Sequence, residues 1–172
     1  MNIVKTISLA LFLAGSSLLS CDKDDVHSRE AEANSSFEGD WDFFDAEFFY
    51  EENGLLTIRF DHKNHAFNYI HEVSFFNIEP SEASANLMYS DMSSTLPTSK
   101  IFVSVGGDVF GDIYAIDSTA TMESKLTIEC ITNNKITGKF QVNYIREAGG
   151  ESPYGLPEKF SLTEGKFDAR RQ

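Results

Sequence analysis

A chain of 172 residues with 14 Lys and Arg against 27 Asp and Glu carries a formal charge of −13 at pH 7. Phosphate backbones and anionic headgroups are met by basic faces, so this balance argues against nucleic-acid binding and against electrostatic adsorption to anionic membranes. The length suits one domain with a real core.

Residues 1–20 read as a targeting segment. Lys5 supplies a short positive start, residues 7–14 (ISLALFLA) an apolar run, and Gly15, Ser16 and Ser17 loosen the chain behind it. A spanning helix needs about 20 apolar residues, and this run is far shorter, so it reads as a signal peptide removed in maturation. Loss of Lys5 with that leader takes the formal charge from −13 to −14, since no acidic residue leaves with it.

The next four residues, Leu18-Leu19-Ser20-Cys21, resemble the bacterial lipobox. The resemblance implies that diacylglycerol is joined to the Cys21 sulfur before the peptidase cuts ahead of it. Cys21 then becomes the first mature residue, usually with a third acyl chain on its new amino group. Each buried methylene contributes about 0.8 kcal/mol, so two or more long chains hold a protein on a membrane. Acylation of Cys21 also leaves Cys130 without an intramolecular partner, and Cys130 is expected to pack as a small hydrophobe in a strand.

Asp22-Lys23-Asp24-Asp25 resembles the surface-export signal of lipoproteins from the Bacteroidetes phylum, in which a lysine and two acidic residues follow the cysteine. Carried over to Lys23, Asp24 and Asp25, it implies the outer face of the outer membrane, with the lipoprotein processing and export machinery as transient partners. In enteric bacteria an aspartate beside the lipidated cysteine favours inner-membrane retention, so the address depends on the host and the periplasmic face is the alternative. Residues 21–36 are polar without apolar periodicity, the composition of a flexible acidic tether.

From Phe37 onward aromatics crowd in and the period becomes two. GDWDFFDAEFFY brings Trp41, Phe43, Phe44, Phe48, Phe49 and Tyr50 before a turn at Glu51-Glu52-Asn53-Gly54, and Asn-Gly between apolar runs is a strong hairpin signal. LLTIRFD then places Leu56, Ile58 and Phe60 on one face and Leu55, Thr57 and Arg59 on the other, as in a half-buried strand. EVSFFNI, IFVSV and DIYAI read as further strands. KLTIECI and KITGKFQVNYI form a second hairpin around Asn133-Asn134, and Gly138 in its second arm marks a bulge or a place where an aromatic packs over it. EKFSLTEGKFDA gives one or two final strands around Glu164-Gly165. Only EPSEASANLMYS, with an N-cap-like Ser81, offers helix formers. The expectation is an all-β fold, a single antiparallel β-sandwich or flattened barrel of about eight strands with at most one short helix, occupying residues 37–169.

LTIECITNNKITGKFQVNYI followed by FSLTEGKFDA resembles the C-terminal signature of small secreted Bacteroidetes lipoproteins grouped as domains of unknown function, with Gly138 and Phe140 in the first glycine and aromatic positions and Gly165 and Phe167 in the last. The resemblance extends loosely over residues 41–169, leaving 80–121 outside its pattern. It implies a fold class and an address, and brings no catalytic or binding residues.

Motifs that carry chemistry are sparse. His62 and His65 are three apart, which on a strand points them to opposite sides, and no third ligand lies near them in sequence. Glu38, Asp40, Asp42, Asp45 and Glu47 offer oxygens for calcium, but a single strand supplies too few of the six to eight required, so they read as the solvated face of an aromatic strand. One GGDVFGD stretch, residues 106–112, lacks the stacked copies of a calcium-binding roll and the lysine of a phosphate loop, and reads as a hairpin turn. Asp117-Ser118-Thr119 resembles a three-residue O-glycosylation sequon of the same phylum, implying a glycan on Ser118. In the adjacent pairs Phe43/Phe44 and Phe48/Phe49, one member must face away from the core.

The sequence thus supports a lipid-anchored envelope lipoprotein facing the cell exterior, with a binding or structural β domain for an unspecified ligand or protein partner, and with no cofactor or metal. The competing expectation is a hydrolase acting on glycans or envelope polymers through two carboxylates, which a pocket holding acidic side chains of raised pKa would favour.

Overall fold

The computed structural model describes residues 30–37, 39–64, 69–90, 94–105, 109–147, 152 and 155–172. They form ten strands and, among the described residues, no helix. The strands are β1 (Glu30–Ser35), β2 (Gly39–Tyr50), β3 (Leu56–Asn64), β4 (Tyr69–Ile78), β5 (Ser84–Asn86), β6 (Thr98–Val105), β7 (Val109–Ile116), β8 (Lys125–Ile131), β9 (Lys135–Arg146) and β10 (Lys159–Arg171). Antiparallel pairings run β2–β3–β4–β6–β7–β9–β10–β1 and back to β2, closing an eight-stranded barrel. β8 continues the line of β7 along one edge of β9, and β5 adds to β8. Closure removes the open edges that an all-β chain would otherwise expose.

The period of two in LLTIRFD sets the inner wall: Leu56, Ile58 and Phe60 are fully buried. Phe60 lies at the centre of the aromatic interior, its ring centroid 4.8 Å from Phe43, 5.2 Å from Phe140, 5.6 Å from Phe75 and 6.2 Å from Phe167. Each such side chain removed from water contributes about 1.5–3 kcal/mol, and the rings come from five strands.

Strict alternation cannot keep every large residue inside. Phe43 and Phe48 are five apart, an odd number, yet both are buried. A register shift between Phe44 and Glu47 resolves this, with Asp45 in the left-handed region at φ 51°. The same device recurs at Asn77 (φ 59°), between the inward Phe75 and Ile78, and at Glu164 (φ 53°), between the inward Leu162 and Gly165. Each extra residue turns the rest of its strand by one face. The expected split of the phenylalanine pairs follows: Phe44 is exposed and Phe49 half-buried.

Glycines make room for the rings. A Cβ on Gly138 would meet the Thr127 carbonyl oxygen and lie 2.7 Å from Phe167 Cζ, and one on Gly165 would lie 2.5 Å from the Phe140 ring. An aromatic does pack over Gly138. The Asn53-Gly54 turn also forms, with Gly54 at φ 83° and its N–H donating to the Glu51 carbonyl at 2.9 Å.

Two expectations are corrected. Residues 30–35, placed at the end of the flexible tether, form β1, because the small Ala31, Ala33 and Ser35 alternate inward and the backbone completes the ladders of both β10 and β2. The helix-like stretch at 79–90 instead contains β5: it lacks an apolar stripe to bury as a helix, and its backbone groups find partners across β8, as where the Ile128 N–H donates to the Ala83 carbonyl.

Glycine at position 45 takes the left-handed backbone without steric cost, so Asp45→Gly should raise unfolding stability by about 0.5–1 kcal/mol. Gly138→Ala should lower it by about 3 kcal/mol, and Gly165→Ala by about 1–3 kcal/mol. Urea midpoints check all three, and a Gly138→Ala midpoint equal to the parent's contradicts the packing described.

Candidate functional site

Closure with a filled interior leaves two kinds of polar constellation: a few buried groups toward one end of the lumen, and the side chains of the outer wall. In the lumen, Trp41 stacks on both His62 (centroids 4.5 Å, planes 2° apart) and His71 (4.7 Å, 17°). The two imidazoles are 5.8 Å apart. Rings on opposite faces of the indole would be separated by two van der Waals layers, about 7 Å, so both lie side by side on one face. His62 Nδ1 is 3.0 Å from the Asp42 carbonyl oxygen. Burial, with the neighbouring His62 adding to it, pushes the His71 pKa down to about 3. This is an aromatic layer with a neutral histidine in it, and no group of three metal-ligating side chains exists among the described residues. His65, Glu38, residues 106–108, Cys21, Lys23, Asp24 and Asp25 lie outside the described residues.

Near this layer, Arg146 and Asp112 form a buried ion pair at 3.6 Å, and Ser152 Oγ donates to the same carboxylate. Tyr114 donates its hydroxyl to the Pro157 carbonyl at 2.7 Å, and burial, reinforced by Asp112, pushes its pKa up to about 12. With Leu156 and Phe160 also buried, these groups pack the lumen here.

The outer wall carries a broad opening. A cleft of about 930 Å³ runs across β2, β1, β10, β9 and β8. Its floor is a registered row: Asp42 opposite Glu32, Glu32 opposite Lys166, Lys166 opposite Lys139, and Lys139 opposite Thr127. Beside it lie Asp40 opposite Asn34, and Gln141 opposite Lys125. Lys166 pairs with Glu32 at 3.0 Å, Lys139 with Glu129, and Asn34 donates to Glu164 at 2.9 Å. Asp40, Asp42 and Lys125 make no ion pair among the described residues. The groove is acidic toward β2 and carries Lys125 and Lys139 toward β8 and β9, where Glu123 also lines it and Glu129 pairs with Lys139. Asp40 and Asp42 were readable as a solvated face; that they share a groove with three lysines from distant strands depends on long-range register, which no local pattern carries.

A second acidic group surrounds Arg59, which is paired with Glu47 and lies 4.0 Å from Glu72. Asp61 stands directly opposite Glu72 across β3 and β4. Burial first, and then the charge of Glu72, raise its carboxyl to about pH 6 against the counter-pull of Arg59. This pair lines neither the outer groove nor the smaller recess of about 580 Å³ beneath the β2–β3 turn.

Ser118 is exposed on the turn after β7. Burial opposes ionisation of Asp117, but hydrogen bonds from Lys159 and Thr119 hold its carboxyl below the ordinary value. Both the N–H and the hydroxyl of Thr119 donate to Asp117 Oδ1, at 2.9 and 2.6 Å, leaving the Ser118 hydroxyl as the outward one of the motif. Cys130 lies in strand β8, as expected, and is partly buried, but it is disulfide-bonded where acylation of Cys21 would leave it without an intramolecular partner.

His71 and Asp61 act oppositely on stability. A histidine held neutral contributes stability above pH 6.5 that is lost as pH falls toward 3, up to about 4 kcal/mol. A carboxyl raised to about 6 contributes below pH 3.8 and loses that contribution as pH rises through 6, about 1–2 kcal/mol after solvent screening. In urea midpoints measured against pH, His71→Phe should flatten the acid limb between pH 6.5 and 4, and Asp61→Asn should raise the midpoint above pH 6 while leaving it unchanged near pH 3.5. An acid limb as steep in His71→Phe as in the parent contradicts the burial argument.

No protein-family model, curated protein or solved structure matches the chain.

Proposed function

We propose that this chain is a lipid-anchored lipoprotein of the bacterial outer membrane, facing the cell exterior, whose barrel is a binding module that meets its ligand on the outer wall. The observation that supports binding outside is the contrast between the two surfaces: rings from five strands pack into the lumen, while a polar groove of about 930 Å³ crosses five strands of the wall. The address rests on Leu18-Leu19-Ser20-Cys21 and on Lys23, Asp24 and Asp25, as in the Bacteroidetes lipoproteins that the sequence resembles. Residues 22–29 separate Cys21 from β1 and span at most about 30 Å when extended, so the lipid keeps the barrel close to the membrane surface. Ser118, exposed beside a locked Asp117 and Thr119, is the proposed attachment point of an O-glycan.

The chain has two cysteines, so an intramolecular disulfide and a thioether on Cys21 exclude each other. Order of events favours the thioether, because lipid transfer precedes both cleavage and folding. The disulfide then belongs to chains that escape the lipid.

A hydrolase has one observation in its favour, the raised carboxyl of Asp61 opposite Glu72. Those two line neither the outer groove nor the recess beneath the β2–β3 turn, and Asp61 is itself half-buried.

Cys21→Ser should abolish membrane fractionation and surface labelling in the native host, and intact-mass analysis of the parent should show an acylated residue 21 after loss of residues 1–20. A parent chain with an uncut leader, or one whose mass changes only by opening of a disulfide on reduction, overturns the anchoring.

A further inference from the structure

The outer groove is the surface with most left to explain, and its two sides differ in charge, although Glu123 stands near Lys125 in sequence and Glu32, Glu164 and Lys166 lie between the sides. Asp40 and Asp42 stand on β2 at one side, while Lys125 and Lys139 stand on β8 and β9 at the other. Between them lie the amides of Asn34 and Gln141. Neighbouring strands are about 4.8 Å apart, so Asp42 and Lys139 are separated by three steps, about 14 Å, and β2 and β8 by four, about 19 Å.

We infer that this groove takes a short extended peptide with free ends, its ammonium group against Asp40 and Asp42, its carboxylate against Lys125 and Lys139, and its backbone amides over Asn34 and Gln141. The inference rests on the groove half of the proposed function and is independent of the lipid on Cys21.

Length and chemistry both select this ligand. An extended chain covers about 3.3–3.6 Å per residue, so five residues reach about 17 Å, between the two strand spacings. Side-chain amides carry two donor hydrogens and an acceptor; Asn34 spends one hydrogen on Glu164 and Gln141 one on the Glu123 carbonyl, which leaves each a hydrogen and its oxygen for a peptide unit. Asp40, Asp42 and Lys125, without ion-pair partners among the described residues, take the two terminal charges directly, and Lys139 joins by sharing its ammonium with Glu129. A glycan fits less well. Sugar rings are held against exposed aromatic faces, and the two aromatic residues lining the groove, Trp41 and Phe140, are 1% and 4% exposed. A polyanion is repelled by Glu32, Asp40, Asp42 and Glu164.

The test uses the full isotope-labelled chain, followed by amide chemical shifts as pentaalanine is added with free termini, N-acetylated, C-amidated, or blocked at both ends. Free pentaalanine should shift amides of β1, β8, β9 and β10 around the groove. Exposed ion pairs are modest, so blocking either end should weaken binding by about two- to fivefold, and raising the salt should weaken it further. Asp40→Asn with Asp42→Asn should abolish the sensitivity to N-acetylation while leaving that to C-amidation, and Lys125→Gln with Lys139→Gln should do the reverse. Such a double cycle separates recognition of each end from general loss of structure. Equal binding of the free and doubly blocked peptides overturns the inference. If a neutral pentasaccharide moves the groove amides and pentaalanine does not, the groove remains a ligand site and the peptide falls. If neither moves them, both the peptide and the groove reading fall, whatever Cys21→Ser shows for the anchor.

Discussion

Phe60 and the four aromatic rings around it impose one demand on the whole barrel, that every strand deliver its large side chains to the same filled interior. A fully extended strand meets that demand only when its apolar residues are an even number apart. Where they are not, the backbone adds a residue in the left-handed region, as at Asp45, Asn77 and Glu164. Aspartate and asparagine tolerate that conformation better than most side chains, and Asn77 also donates its side-chain amide to the Ser94 and Leu96 carbonyls, tying its bulge to the loop before β6. The cost of each bulge is local, about 1–2 kcal/mol, and it is offset by burying what lies beyond: Ala46 and Phe48, Ile78, or Gly165, Phe167 and Ala169.

How much of this was legible in the sequence depends on the range of the cause. LLTIRFD, the Asn53-Gly54 turn and the need for space at Gly138 are local signals, and each appears in the structure as its own residues suggest. The rings facing Gly138 and Gly165 come from Phe167 and Phe140, so each glycine of the G-x-F pairs accommodates the aromatic of the other, across the β9–β10 ladder. The polar stretch EAEANS gave no local sign of being a strand, because its inward residues are two alanines and a serine; its place is set by the edge of β2 beside it in sequence and by that of β10 over a hundred residues away. The groove was illegible for the same reason. It is made by a register that aligns Glu32, Lys166, Lys139 and Thr127, and register is a property of the closed barrel.

Electrostatically the molecule separates two environments. Inside, charge is tolerated as a paired Arg146 and Asp112 or avoided, as with the neutral His71. Burying an unpaired charge would cost several kcal/mol, so pairing and neutrality are the two available solutions. Outside, an excess of acidic residues is distributed around lysines and Arg59, and their proximity rather than the net charge determines which sites hold protons. Asp61 is the clearest case, raised by burial and by a carboxylate on the neighbouring strand although an arginine stands within its cluster. The outer wall therefore bears much of the molecule's differentiated chemistry.

Closure by β1 ties the beginning of the fold to its end. Glu30 faces Asp168 and Ser35 faces Leu162, so the ring is completed only when β10 arrives, more than a hundred residues after β1. Until that strand is available, β1 and β9 each lack a partner and the sheet is an open ribbon. A polypeptide built this way stays open until its tenth strand emerges. Once closed, any tug arriving from the amino-terminal side is borne by a strand clamped between two neighbours.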